Sequence, residues 1–155
     1  MRNRNAKTTH RILFLCTGNY YRSRYAEIYF NERSAVLGLC WAAESRGLAL
    51  NDCNKGPISL HTLACLTSRG IESEACRRLP IQLTEADLVA ADHIVAVKQG
   101  EHLPLMEANF PAWSDRVEYW NVHDIDCATP AASLPHLELE IDRLIERLVP
   151  QRMSA

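Results

Sequence analysis

The sequence predicts an α/β fold: a three-layer sandwich with a four-stranded parallel sheet at its centre. Three observations carry this. Four short apolar segments rich in strand formers, at 11–16, 40–44, 93–97 and 117–122, recur along the chain. Helical patterns separate them, as parallel strands joined by crossovers require. A chain of 155 residues also has the length of one domain, read here as a polar, basic tail over 1–10 and a single folded unit over 11–150.

Arg11 to Cys16 (RILFLC) is short and apolar, as a strand buried on both faces should be. Thr17-Gly18-Asn19 breaks it, and a helix is expected to begin near Ser23, with Ala26, Tyr29 and Phe30 on one face and Gly38 as its stop. Cys40 to Glu44 reads as a second, weaker strand ending at Gly47. Ser59 to Arg69 reads as a helix ending before Gly70, with Leu60, Leu63, Ala64 and Leu66 inward. Thr84-Glu85-Ala86-Asp87 resembles a capping box that opens a short helix. His93 to Val97 is the third strand, Glu101 to Asn109 a short helix, and Val117 to Val122 the fourth strand. Ser133-Leu134-Pro135 is expected to start the terminal helix and Pro150 to end it. Within that helix Leu137, Ile141, Leu144, Ile145 and Leu148 recur at amphipathic spacing.

Composition narrows the function classes. The chain is 47% hydrophobic and 23% charged, which excludes a disordered tail protein. Seventeen Lys and Arg against nineteen Asp and Glu give a net charge of −2, without the concentrated positive field that nucleic acid or an anionic membrane surface requires. Arg2, Arg4, Lys7 and Arg11 look like the start of a secretory leader, but only a five-residue apolar run follows, so no leader core is expected. Six cysteines are scattered singly with no CxxC, and the six histidines include no HxxxH. The expectation is a cytoplasmic protein with reduced thiols, no metal and no cofactor.

In open parallel sheets ligands bind beyond the carboxyl ends of the strands, which directs attention to the turn after the first one. It reads Cys16-Thr17-Gly18-Asn19-Tyr20-Tyr21-Arg22-Ser23, with Arg six positions after Cys. Cys40 and Arg46 share that spacing, but their interval is strand-like, lacks glycine and carries Glu44, an anion. The first copy follows an apolar strand, contains Gly18 and Asn19 for unusual backbone angles, and runs into a helix. Such a loop aims successive backbone N–H groups at one point, and the helix dipole adds partial positive charge. A thiol placed there is favoured as thiolate, and Arg22 offers a planar fork for two phosphoryl oxygens. The plainer reading of the same residues is a buried cysteine beside a surface arginine.

The string CTGNYYRSR resembles the phosphate-binding loop of the low-molecular-weight protein tyrosine phosphatases, C-x-G-N-x-C-R-S-P, and the resemblance extends over 11–149. Ala43-Glu44-Ser45-Arg46-Gly47, Gly70-Ile71, Arg78-Leu79, Ala91-Asp92-His93-Ile94-Val95 and Trp120-Asn121-Val122-His123-Asp124 are similar to later family segments and occur in the same order. The resemblance implies a phosphatase that hydrolyses phosphotyrosine, in a protein or as a small aryl phosphate, through a cysteinyl-phosphate. Cys16 would be the nucleophile, with Cys40 structural. The amides of Thr17, Gly18, Asn19, Tyr20, Tyr21 and Arg22, with the Arg22 guanidinium, would hold the equatorial oxygens. Asn19 would tie the loop down, and the Ser23 hydroxyl would donate to the Cys16 sulfur, unless it only caps the helix. Asp124 would be the general acid, with Asp126 the fallback and His123 facing away.

This chain departs from the pattern in four places. Tyr21 stands where many members have a second cysteine, Arg24 replaces proline and adds charge near the pocket, Ile125 follows Asp124 where proline is usual, and the aromatic pair of eukaryotic members is absent. Tyr20 would supply an aromatic wall instead. Two other readings share the loop. An arsenate reductase would need two cysteines shortly after the third strand, where 95–105 has none. A catalytically weak module could dock phosphoproteins. Oligomeric state is left open.

Overall fold

The computed structural model describes residues 8–124 and 129–149. Strand β1 (His10–Cys16) lies between β2 (Trp41–Gly47) and β3 (His93–Ala96), and β4 (Glu118–Tyr119) pairs with β3. All pairings are parallel, in the order β2-β1-β3-β4. Five helices cover the sheet: α1 (Arg22–Leu37), α2 (Leu60–Ser68), α3 (Glu85–Ala90), α4 (Gln99–Asn109) and α5 (Pro130–Leu148). Short 3-10 turns occupy Glu74–Arg77 and Ser114–Arg116. The expected α/β sandwich with a four-stranded parallel sheet is the observed architecture.

The alternation of β1 explains the three layers. Ile12, Phe14 and Cys16 point to one face, where they join Tyr25, Phe30, Leu137 and Ile141 of α1 and α5. Leu13 and Leu15 point to the other and meet Leu88 of α3 and Met106 of α4. Each fully buried Leu, Ile or Phe contributes about 1.5–3 kcal/mol of transfer free energy, so this central strand holds both layers. Gly38 ends α1 in the left-handed conformation, φ 66°, as its position predicts. The Thr84–Asp87 capping box is also formed.

Several boundaries differ from expectation. His10, inside the segment read as tail, already belongs to β1, and residues 1–7 lie outside those described. Strand β2 starts at Trp41, one residue later than read, and ends at Gly47 as expected, with all seven of its positions paired with β1. Strand β4 keeps only two ladder residues, although the amides of Trp120 and Val122 still donate to Ala96 and Val97 carbonyls at 2.9 and 2.7 Å. Helix α5 starts at Pro130, where a missing N–H costs nothing, and Pro135 lies inside it. Pro150 lies outside the described residues. Helix α2 is turned about its axis: Thr62 and Leu66 are buried, while Leu60 and Leu63 are 76% and 39% exposed and Ala64 is exposed. Polar anchoring decides this, since the Ser59 amide donates to the Tyr20 carbonyl and Thr62 Oγ1 to that of Tyr21, both at 2.9 Å. No helix among the described residues is long and apolar enough to cross a membrane.

Candidate active site

The carboxyl end of the sheet opens into a cleft of about 380 Å³. Cys16, Thr17, Gly18, Tyr20, Tyr21 and Arg22 line it from the loop after β1, and Asp124 lines it from beyond β4. Ala49, Asn51, Asn54, Ser59, Leu60 and His61 complete the walls. Asn19 and Ser23 are fully buried and support the loop without lining the cleft. His123 does not line it either, and Asp126 lies outside the described residues.

Cys16 is almost completely buried, with its sulfur 2.9 Å from Ser23 Oγ and 3.2 Å from the Asn19 amide, which donates to it. Asn19 Nδ2 donates to Ser23 Oγ at 2.9 Å. That leaves the Ser23 hydroxyl hydrogen for the sulfur, a bond that strengthens when the sulfur is charged. Ser23 does not cap α1: the N-cap position is Tyr21, whose side chain makes no capping hydrogen bond. The same turn holds no acidic residue, so its amides and dipole remain available to an anion at Cys16. Replacing Ser23 with Ala is expected to slow alkylation of Cys16 by iodoacetate at neutral pH about tenfold, as loss of a hydrogen bond to a charged group implies. An unchanged alkylation rate would reduce Ser23 to packing.

Asn19 takes the left-handed backbone conformation at φ 50°, which asparagine tolerates better than other non-glycine residues. All of its side-chain polar atoms are used. Oδ1 accepts from Arg78 Nη1 and the Ile81 amide, each at 3.0 Å, and Nδ2 donates to Ser23 and Ser45, each at 2.9 Å. Arg78 Nη2 also meets Glu27 Oε1 at 2.9 Å, and Ser45 Oγ donates to that same oxygen. The loop therefore rests on a buried polar network reaching to residue 81.

Arg22 is 2% exposed. Its Nη1 donates to the Val122 carbonyl at 3.1 Å, and its Nη2 lies 2.5 Å from Glu101 Oε2 and 3.3 Å from Asp124 Oδ2. Burial by itself would lower its pKa, but Cys16, Asp124 and Glu101 outweigh that and hold it above the usual value. Glu101 shows the converse: burial opposes its charge, yet His102 and Arg22 bring it down to about 2. Its contribution to stability is thus fully present above the ordinary carboxylate range and is lost only as pH falls toward 2.

Glu101 and His102 were not legible as site residues. The one available signal was their place just after β3, at the ligand-binding edge of the sheet. Arg24 corrects another expectation. Its guanidinium lies behind the loop, not in the cleft, donating to the carbonyls of Asn19, Pro57, Ala75 and Arg78 at 3.4, 2.7, 2.6 and 2.9 Å. Burial, with Arg78 beside it, lowers its pKa to about 10. Tyr20 forms a wall and donates from its hydroxyl to the Lys55 carbonyl at 2.5 Å, fixing the opposite rim. Burial, aided by the charge of Asp124, raises the Tyr21 phenol to about 12.

Comparison with known proteins agrees on one kinship. A sequence model described as "Low molecular weight phosphotyrosine protein phosphatase" matches residues 11–135. The chain is similar to a protein-arginine-phosphatase of Geobacillus stearothermophilus, 30% identical over 151 residues covering 90% of this chain and 96% of that one. It is also similar to the crystal structure of a low molecular weight protein tyrosine phosphatase from T. tengcongensis, with a TM-score of 0.78, 28% identity, and coverage of 90% and 100%. The structure of YfkJ from Bacillus subtilis shares the fold at a TM-score of 0.81 and 21% identity, with coverage of 97% and 99%.

Proposed function

From the premise that the chain belongs to the low molecular weight phosphotyrosine protein phosphatase family, whose members are cysteine-dependent phosphatases, we propose that it hydrolyses phosphotyrosine monoesters in proteins through a cysteinyl-phosphate on Cys16. The observation that carries this reading is the sulfur itself: buried at the foot of the cleft, it is faced by a hydroxyl and an amide, above an uncapped helix start.

In the first step Cys16 Sγ attacks phosphorus as the P–O bond to the tyrosyl oxygen breaks. The loop amides and Arg22 hold the three equatorial oxygens; such preorganised donors supply most of the stabilisation in phosphoryl transfer. Tyrosinate is a poor leaving group, since its conjugate acid has a pKa of about 10. Asp124, at the cleft wall, donates the proton it needs and then, as carboxylate, activates the water that attacks the cysteinyl-phosphate. Ser23 eases departure of the sulfur in that second step. The positive charge this requires is present in Arg22 and the amides, so the proposed chemistry calls for no metal.

The walls favour an aryl group. Tyr20, Ala49 and Leu60 offer apolar surface to a flat ring, and among the described residues Asp124 is the single acidic side chain lining the cleft. A second reading, phosphoarginine, is favoured by the kinship with the Geobacillus enzyme, and the Asp124 carboxylate would then face the guanidinium. Turnover of a phosphotyrosyl peptide and its phosphoarginyl counterpart, measured side by side with phosphate release as readout, separates the two. Higher kcat/KM on phosphotyrosine is expected. Preference for phosphoarginine would move the substrate assignment, and release from neither would remove the phosphatase reading of this chain.

A further inference from the structure

Both ends of the Cys16 loop are tied to two adjacent residues of α4, Glu101 and His102. His102 is fully buried, and burial lowers its pKa, so the ring is neutral near pH 7. The Lys98 amide donates to its Nδ1 at 3.1 Å, which fixes the tautomer: the ring proton resides on Nε2. That N–H faces Glu101 Oε2 at 2.8 Å and Thr17 Oγ1 at 3.1 Å. The same Glu101 oxygen takes Arg22 Nη2 at 2.5 Å. One oxygen atom, held from behind by a buried ring, therefore sets the position of the guanidinium, while the ring itself reaches the first residue after the nucleophile.

We infer that Glu101 and His102 form a positioning unit for phosphoryl transfer, with His102 fixing the start of the loop at Thr17 and Glu101 fixing the Arg22 fork at its end. The inference rests on the phosphatase reading above. Two carboxylates share Nη2, and they are held differently. Asp124, beyond β4, lies 3.3 Å from it, whereas Glu101 lies at 2.5 Å with His102 against the same oxygen. A phosphoryl dianion arriving at Arg22 displaces Asp124 from Nη2 and leaves Glu101 in place. The long arginine side chain thus enters the reaction already ordered, an entropic cost met on folding and not at each turnover.

The experiment compares Glu101→Ala, Glu101→Gln, His102→Phe and the Glu101→Ala/His102→Phe double variant on two aryl phosphates of different leaving-group pKa. Thermal unfolding is measured alongside. Wild-type turnover is the control, and its absence would count against the phosphatase reading and not against this one. Glu101→Ala is expected to lower kcat about 10–100-fold, a typical cost of misplacing a reacting group by an ångström. The loss should be equal on both substrates, because proton donation is untouched. Glu101→Gln should retain most of the activity, since a single carbonyl oxygen can accept from both Arg22 and His102. The double variant should be no worse than the poorer single variant, as coupled residues behave.

Three results would overturn the inference. The first is an unchanged kcat with a lower KM and tighter inhibition by inorganic phosphate, which would make Glu101 a competitor for Arg22. The second is a lowered melting temperature with undiminished kcat in the folded protein, which would make the pair merely structural. The third is additive losses in the double variant.

Discussion

Cys16→Ser is expected to reduce turnover of an aryl phosphate by ~10⁴-fold or more, because the serine hydroxyl is a far weaker nucleophile than a thiolate and, among the described residues, only the Ser23 hydroxyl and the Asn19 amide hydrogen-bond at that position. Binding of inorganic phosphate should survive. The amides of the loop, the uncapped start of α1 and the Arg22 guanidinium are untouched by exchanging one buried atom. Stability should change by only about 1 kcal/mol, since Ser23 Oγ, 2.9 Å from the sulfur, can hydrogen-bond to a hydroxyl as well. Calorimetric titration with phosphate and a steady-state assay on the same preparation give both readouts. Undiminished turnover in Cys16→Ser would refute a cysteinyl-phosphate. A chelator should leave wild-type turnover unchanged; its loss under EDTA would show a dependence on metal that the proposed chemistry does not contain.

The second large effect belongs to the general acid. Asp124→Asn should cost about 10²–10⁴-fold on an aryl phosphate with a poor leaving group and much less on one with a good leaving group. The Asp124 carboxylate lies 3.3 Å from Arg22 Nη2 and is one-third exposed at the cleft wall, beside the incoming phosphoryl group and open to the water of the second step. Asp126→Asn is the paired control, two residues farther along and outside the described residues. If Asp126→Asn alone shows the leaving-group pattern, the assignment moves to that residue. If neither does, docking of phosphoproteins without efficient turnover becomes the better account.

Much of this molecule is dictated locally. The run Ile12–Leu15 can be satisfied only by burial on both faces, and a strand so buried requires a layer of helices on each side. Gly18-Asn19 and then an uncapped helix start follow within a few residues, so the geometry around Cys16 depends on backbone angles and amides close in sequence. Gly38 and the Thr84–Asp87 box act within one turn of a helix and were legible for the same reason. Helix α2 was misjudged because hydrophobic spacing alone put Leu60 and Leu63 inward, whereas hydrogen bonds to the Tyr20 and Tyr21 carbonyls, some 40 residues earlier, set its rotation. Arg24 was read as a charge for the pocket, but which way a side chain leaves the first turn of α1 depends on where carbonyls 57, 75 and 78 come to lie.

The sequence by itself determined the sheet, the loop after its first strand and the pairing of Cys16 with Arg22 six residues on, because strand burial, left-handed asparagine and helix dipoles are short-range physics. Only the tertiary structure decided what holds Arg22. Glu101, His102, Val122 and Asp124 lie 79 to 102 positions away in the chain, the first two in no recognisable motif, and meet the guanidinium or its clamp because parallel strands deliver every crossover to the same edge of the sheet.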